Sequence, residues 1–152
     1  TNRADALLFL SLLSGRNPEY LIEQQIKSVP FLKNANLEII PTGYILVDGG
    51  TQSSVLKISK TTPIPQEDVQ LVVDTAVAGM YKGKKLIYLE AGSGATTPVN
   101  PDIISKVKAR ISIPLIVGGG IRSREQLQVA FDHGADIVVI GTAFENNTLA
   151  KL

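Results

Sequence analysis

An α/β fold built on a parallel sheet is predicted by three observations. Short runs rich in Val, Ile and Leu alternate with helix-patterned stretches in the order βαβαβαβαβ, the pattern of parallel strands covered by helices. The last two runs each end in glycine: Gly118-Gly119-Gly120 follows Val117, and Gly141-Thr142 follows Ile140. The 152 residues suffice for one hydrophobic core. They fall short of the ~250 residues of a complete (β/α)8 TIM barrel.

The first strand is read at Leu7 to Leu13, ended by Ser14-Gly15-Arg16. Asn17 is placed as a helix N-cap, with Pro18 at the first helical position and Glu19 in the first turn. That helix runs to about Ser28, and Pro30 marks its boundary. The second strand is Ile39 to Val47, closed by Asp48-Gly49-Gly50. Residues 51–65 form the longest irregular stretch, either a binding loop or a plain surface excursion. A helix follows from Gln66 to about Tyr81, because Val69, Val72, Val73, Ala76, Val77 and Met80 share one helical face. Gly83 breaks it. Then come a strand Lys85 to Glu90, a helix Pro101 to Arg110, a strand Pro114 to Val117, a helix Ser123 to His133 and a strand Ile137 to Ile140. Ser123 with Gln126 has the form of a capping box.

Five strands could make a doubly wound open sheet with its site at a topological switch point. The two glycine-ended strands fit a barrel better. The loops after barrel strands 7 and 8 commonly make a phosphate site. Glycine there lets backbone N–H groups approach phosphate oxygens with no Cβ in the way, and a helix N-terminus adds partial positive charge. One GGG alone is as well explained by a tight turn; the pair is more specific. The five strands are therefore assigned to strands 4 to 8 of a TIM barrel, and residues 1–152 to a single partial barrel domain without its N-terminal strands. Strands 4 and 8 would then carry unpaired edges. A fragment, a subset of a longer polypeptide and a piece completed by another chain all remain open.

Bulk composition sets limits. Hydrophobic residues make up 44% and charged residues 19%, ordinary for a soluble domain. The net charge of +1, with His133 neutral, gives no basic patch for nucleic acid. There are no cysteines, which excludes disulfides and thiolate metal sites. No apolar run reaches ~18 residues, so no membrane span is expected. The polar start of the chain lacks a signal-peptide layout, and a cytoplasmic location is expected.

The chemistry is concentrated at Tyr88-Leu89-Glu90-Ala91-Gly92-Ser93-Gly94. Alternation puts Tyr88 and Glu90 on one strand face and Leu89 on the other. A glutamate at the C-terminal end of a barrel strand stands where catalytic groups usually stand. Its bland alternative is a carboxylate paired with a neighbouring Lys or Arg.

The stretches YLEAGSGA, IPLIVGGGIRS and IVVIGTAFE, preceded by LLFLSLLSGRNPEYLI and IIPTGYILVDGG, resemble the geranylgeranylglyceryl phosphate synthases and the related heptaprenylglyceryl phosphate synthases. The resemblance covers nearly the whole chain. It implies a transferase of ether-lipid biosynthesis, a prenyltransferase of phospholipid metabolism. The reaction would join sn-glycerol 1-phosphate to geranylgeranyl diphosphate and release pyrophosphate, with Mg²⁺ as cofactor. By that resemblance Tyr88 and Glu90 hold the glycerol hydroxyls and are the catalytic candidates. The segment Tyr88, Leu89, Glu90, Ala91, Gly92, Ser93 and Gly94 binds substrate. Gly118, Gly119, Gly141 and Thr142 bind the phosphate. The family's Mg²⁺ ligands belong to strands 1 and 2, so none is assigned in this chain. Homo-oligomers are implied as well.

Phe9, Leu12 and Tyr44 are candidates for a prenyl groove or for simple packing. Arg16 and Asn17 either approach a diphosphate or, for Asn17, cap a helix. Arg122 either contacts phosphate or is a solvated charge at a helix start. His133 suits a helix end and is not read as catalytic. Two other functions compete. One is another phosphate-binding TIM-barrel enzyme acting on a sugar phosphate; the other is an inactive phosphate-binding barrel fragment.

Overall fold

The computed structural model describes residues 3–51 and 54–141. Five strands, β1 (Ala6–Leu12), β2 (Glu38–Leu46), β3 (Leu86–Glu90), β4 (Leu115–Gly118) and β5 (Ile137–Val139), lie in the order β1-β2-β3-β4-β5. Every neighbouring pair is parallel. A doubly wound sheet must reverse its strand order to create a switch point. Here each strand pairs with its successor in the chain, the order of a barrel arc.

Five helices connect or follow the strands: α1 (Gln24–Leu32), α2 (Ser54–Ser59), α3 (Val69–Tyr81), α4 (Pro101–Lys108) and α5 (Arg124–Asp132). The main core lies between sheet and helices. Ile45, Val47, Ile87, Leu89, Leu115 and Val117 come from the strands, and Val72, Val73, Ala76, Ile103, Ile104 and Val107 come from α3 and α4. Each of the Val, Leu and Ile side chains contributes ~1.5–3 kcal/mol by leaving water. Alternation sends Tyr44, Leu46, Tyr88, Glu90 and Gly118 to the opposite face, where register pairs Tyr44 with Tyr88, Leu46 with Glu90, and Glu90 with Gly118.

The helix ends follow their capping chemistry. Asp68 caps α3 by accepting the Leu71 N–H, and Gly83 closes it with φ +85°. Asn100 caps α4 with Pro101 at the first helical position. Ser123 accepts the Gln126 N–H at 3.2 Å. The Gln126 side chain, however, takes the N–H of Arg122 and not that of Ser123, so the capping box is opened by one residue. Asn17 accepts the Glu19 N–H and donates to the Ser59 carbonyl.

Three expectations are corrected. The first helix does not stop before Pro30: a π-helical turn at Glu19–Glu23 leads into α1, which continues through Pro30 to Leu32. Proline removes one i→i−4 bond. The carbonyl it leaves free belongs to Ile26, an exposed residue on a helix with no buried side chain, so it is not sealed away from solvent. Second, residues 51–65 are not wholly irregular, since they contain α2. They return to the sheet at Ile64, which bridges Val47 and bonds to Leu46 and Asp48. Third, α3 starts at Val69 and not at Gln66, because Asp68, with a non-helical φ of −86° and ψ of 57°, caps it by accepting the Leu71 N–H. Among the described residues no helix is long and apolar enough to cross a membrane.

Candidate active site

The polar cluster forms where β3 ends. Glu90 is only 8% exposed, and one carboxylate oxygen accepts the Gly92 N–H at 2.9 Å. Tyr88, on the same face, meets Tyr44 edge to face with ring centroids 5.1 Å apart. β4 contributes no side chain at the matching point. A Cβ on Gly118 would stand 2.7 Å from both the Tyr88 hydroxyl and the second Glu90 oxygen. At Gly119, with φ +84°, a Cβ would stand 2.6 Å from the first Glu90 oxygen and 2.8 Å from the Ala91 nitrogen. The glycines therefore admit Tyr88 and Glu90 against the end of β4.

Burial pushes the Glu90 carboxyl above the usual carboxylate range; the Tyr88 hydroxyl and the Gly92 N–H oppose that shift. Tyr88 is pushed up by burial first and then by the Glu90 charge. Tyr44 is pushed up for the same two reasons. Glu90 has no cationic partner among the described residues, so the paired-carboxylate alternative does not describe it. A buried carboxylate that is costly to ionise is a stronger base when ionised.

Above Glu90 lies a cavity of about 150 Å³. Six of the sequence candidates line it: Glu90, Gly92, Ser93, Gly94, Gly119 and Gly141. Gly92 and Gly94 have φ of +103° and +75°, a region where L side chains are strained, so this loop requires glycine. Gly141 has open space around its missing Cβ; glycine there leaves room and relieves no clash. Tyr88 and Gly118 sit next to the cavity and do not line it. Leu89 is fully buried on the helix face, turned away from the site. Ala91 belongs to the same core and bonds to the site through its N–H to Gly118. Thr142 lies outside the described residues.

The secondary candidates separate. Leu12 and Tyr44 are register partners on one face, and alternation puts Phe9 on the other. Arg122 lines the cavity, and its guanidinium donates to the Gly94 and Ala95 carbonyls at 3.3 and 2.9 Å. It is thus an exposed charge, as the solvated alternative has it, whose guanidinium is also tied to the loop after β3. Arg16 has φ +50° in the turn after β1. His133 caps the end of α5 and bonds to the Val129 carbonyl.

Sequence reasoning missed two residues that hold the site. Gly120, with φ +75°, leaves room for Pro98, whose nitrogen a Cβ would approach to 2.9 Å. Gly49 lies under Ala91, whose carbonyl oxygen a Cβ would approach to 2.2 Å. Its own carbonyl accepts the N–H groups of Thr96 and Thr97. The glycine pair at 49–50 was a visible signal, read only as a strand end.

No three metal-ligating side chains converge among the described residues, and Glu90 is the one carboxylate lining the cavity. These residues do not fit a Mg²⁺ site.

Consecutive parallel strands with a polar cluster and glycine loops at their C-terminal ends define the catalytic end of a (β/α)8 barrel. The chain belongs to the PcrB family, whose family model matches residues 1–152. It is 63% identical over 146 residues to the geranylgeranylglyceryl phosphate synthase of Zunongwangia profunda, covering 96% of this chain and 62% of that protein. The synthase of Thermococcus kodakarensis is 44% identical over 142 residues, covering 93% and 56%. The crystal structure of (S)-3-O-geranylgeranylglyceryl phosphate synthase from Thermoplasma acidophilum, in complex with substrate sn-glycerol-1-phosphate, superposes with a TM-score of 0.89. Identity is 37%, over 95% of this chain and 58% of that one. The chain thus spans roughly three-fifths of the length of these relatives.

Proposed function

We propose that this chain supplies strands 4 to 8 of a prenyltransferase that joins sn-glycerol 1-phosphate to geranylgeranyl diphosphate. The observation that carries the reading is the buried Glu90 beside a glycine-lined cavity of about 150 Å³, in a chain 63% identical to a named synthase. A small phosphorylated alcohol suits such a cavity, which presents backbone rather than bulk.

Tyr88 and Glu90 orient the glycerol hydroxyls, and Ser93 adds a hydroxyl at the rim. The backbone around Gly94, Gly119 and Gly141 surrounds the phosphate. In the reaction the C3 oxygen of glycerol forms a bond to C1 of the prenyl chain. The bond from C1 to the diphosphate oxygen breaks, and its electron pair leaves with pyrophosphate. Glu90 takes the hydroxyl proton. Holding that hydroxyl in line with C1 supplies much of the rate enhancement. By the family resemblance Mg²⁺ would be held by strands other than these five, where it would supply charge neutralisation for a pyrophosphate leaving group. Self-association is expected on the same resemblance.

Labelled glycerol 1-phosphate incubated with geranylgeranyl diphosphate and Mg²⁺ tests the reading in the complete polypeptide that carries this chain. The expected product is the prenyl ether of glycerol 1-phosphate. Glu90→Gln should lower kcat by ~10²–10⁴-fold, the usual range for a lost general base. Near-normal kcat would exclude Glu90 as the base.

A further inference from the structure

We propose that Gln66 is a positioning residue for the phosphate side of this site, an inference that rests on the function proposed above. Gln66 lies between β2 and α3 and does not line the cavity. Its amide nitrogen donates to the Asp48 carbonyl at 2.8 Å and to the Pro98 carbonyl at 3.0 Å. Its amide oxygen accepts the Asn100 N–H at 2.7 Å. Both amide hydrogens and the oxygen are thereby engaged, and every partner is main chain. No other amino acid offers two donors and one acceptor at that reach in a neutral group.

The three partners place Gln66 at a junction. Asp48 lies two residues past the end of β2, Pro98 closes the glycine loop that starts at Gly92, and Asn100 caps α4. Pro98 lies directly against Gly120, where a Cβ would meet its nitrogen at 2.9 Å and its Cα at 3.0 Å. Gly120 follows Gly119, which abuts Glu90. Contact therefore runs from the Gln66 amide through Pro98 to the turn at the base of the cavity. Arg122 holds the opposite end of the same loop at Gly94 and Ala95. With Gln66 removed, the Gly92–Pro98 segment keeps Arg122 and the Gly49 carbonyl but loses its tie beside α4.

The partition of the effect is the diagnostic feature. Displacing this loop should weaken the phosphate-bearing acceptor and leave the prenyl diphosphate untouched. In the complete polypeptide, Gln66→Met keeps the length and removes all three bonds. Gln66→Glu keeps the acceptor for Asn100 and sets a carboxylate against two carbonyls. Both variants are expected to raise the KM for glycerol 1-phosphate about tenfold, the scale of one net hydrogen bond to a polar group. The KM for geranylgeranyl diphosphate should stay within about twofold. Calorimetric Kd values for glycerol 1-phosphate and for inorganic phosphate should rise in parallel.

A purely structural role would lower the melting temperature and leave the ratio of the two KM values unchanged, which would overturn the proposal. So would an unaltered glycerol 1-phosphate KM in a folded variant. If the wild-type protein takes phosphate and not glycerol 1-phosphate, the proposed reaction fails, while the phosphate Kd still decides the role of Gln66. A wild-type protein that binds neither ligand overturns both.

Discussion

Glu90 combines two costs in one residue: it is removed from water at the end of β3, and no cation among the described residues balances it. Its native pKa is raised, so the folded protein holds the proton over a pH range in which the unfolded chain has released it. The stabilising contribution is complete below the ordinary value of 4.5 and is lost as pH rises through the native value. Glu90→Gln should therefore melt at a higher temperature than wild type near neutral pH. The difference should vanish in acid below about 4.5. Thermal melts of both proteins across that range check the sign, and a variant less stable at neutral pH would count against it. Gly119→Ala acts in the other direction. It places a methyl against the Glu90 carboxylate at a backbone angle of +84°, and should cost ~1–3 kcal/mol of stability with loss of glycerol 1-phosphate binding by calorimetry.

Strand β3 shows how far the sequence could be read at the level of an element. Its position, its parallel partners and the common face of Tyr88 and Glu90 were all legible, because alternation has a strict period of two. The same rule sets Leu89 among Val72, Ile103 and Leu115 in the core and denies it a place in the cavity. Leu89→Ala is expected to cost ~2–5 kcal/mol, read by chemical denaturation. Its site geometry should persist for as long as the protein stays folded. The helices were harder to bound. Proline both removes a hydrogen bond and crowds the carbonyl four residues back, and whether a helix absorbs that depends on the exposure of that turn, which no local motif records. The role of Gln66 was equally hidden, since its three partners lie 18 to 34 residues away.

Across the whole molecule, the consecutive strand order leaves β1 and β5 as the outer strands of the described sheet. Leu8 and Leu10 of β1 are each 38% exposed, and Ile137 of β5 is 47% exposed. Unpaired strands that expose apolar side chains template association. Residues 1–152 expressed alone should bind a hydrophobic dye and form aggregates of mixed size, and a longer polypeptide supplying the neighbouring strands should bind no dye and scatter as a single discrete species. Light scattering on the two proteins tests this. The barrel arc was readable from the two glycine-ended strands near the end of the pattern, and the consecutive order β1-β2-β3-β4-β5 agrees with it. The pattern did not reveal how the loops tie to one another, because backbone carbonyls such as those of Gly49 and Gly94 accept bonds irrespective of the side chain they carry.

The missing Cβ atoms of Gly118 and Gly119 have a consequence for how this site can change over evolutionary time. The space Gly118 leaves is filled by the Glu90 carboxylate and the Tyr88 side chain, whereas Gly119 faces the Gly92 and Ala91 nitrogens as well as Glu90. Alanine at 118 is therefore expected to become more tolerable once the Glu90 and Tyr88 side chains have been shortened, while alanine at 119 stays costly, because backbone atoms and a φ of +84° oppose it in any case. A lineage abandoning the chemistry is expected to lose those side chains first and Gly118 afterwards, and a double-mutant cycle between positions 90 and 118 would measure how strongly that order is enforced.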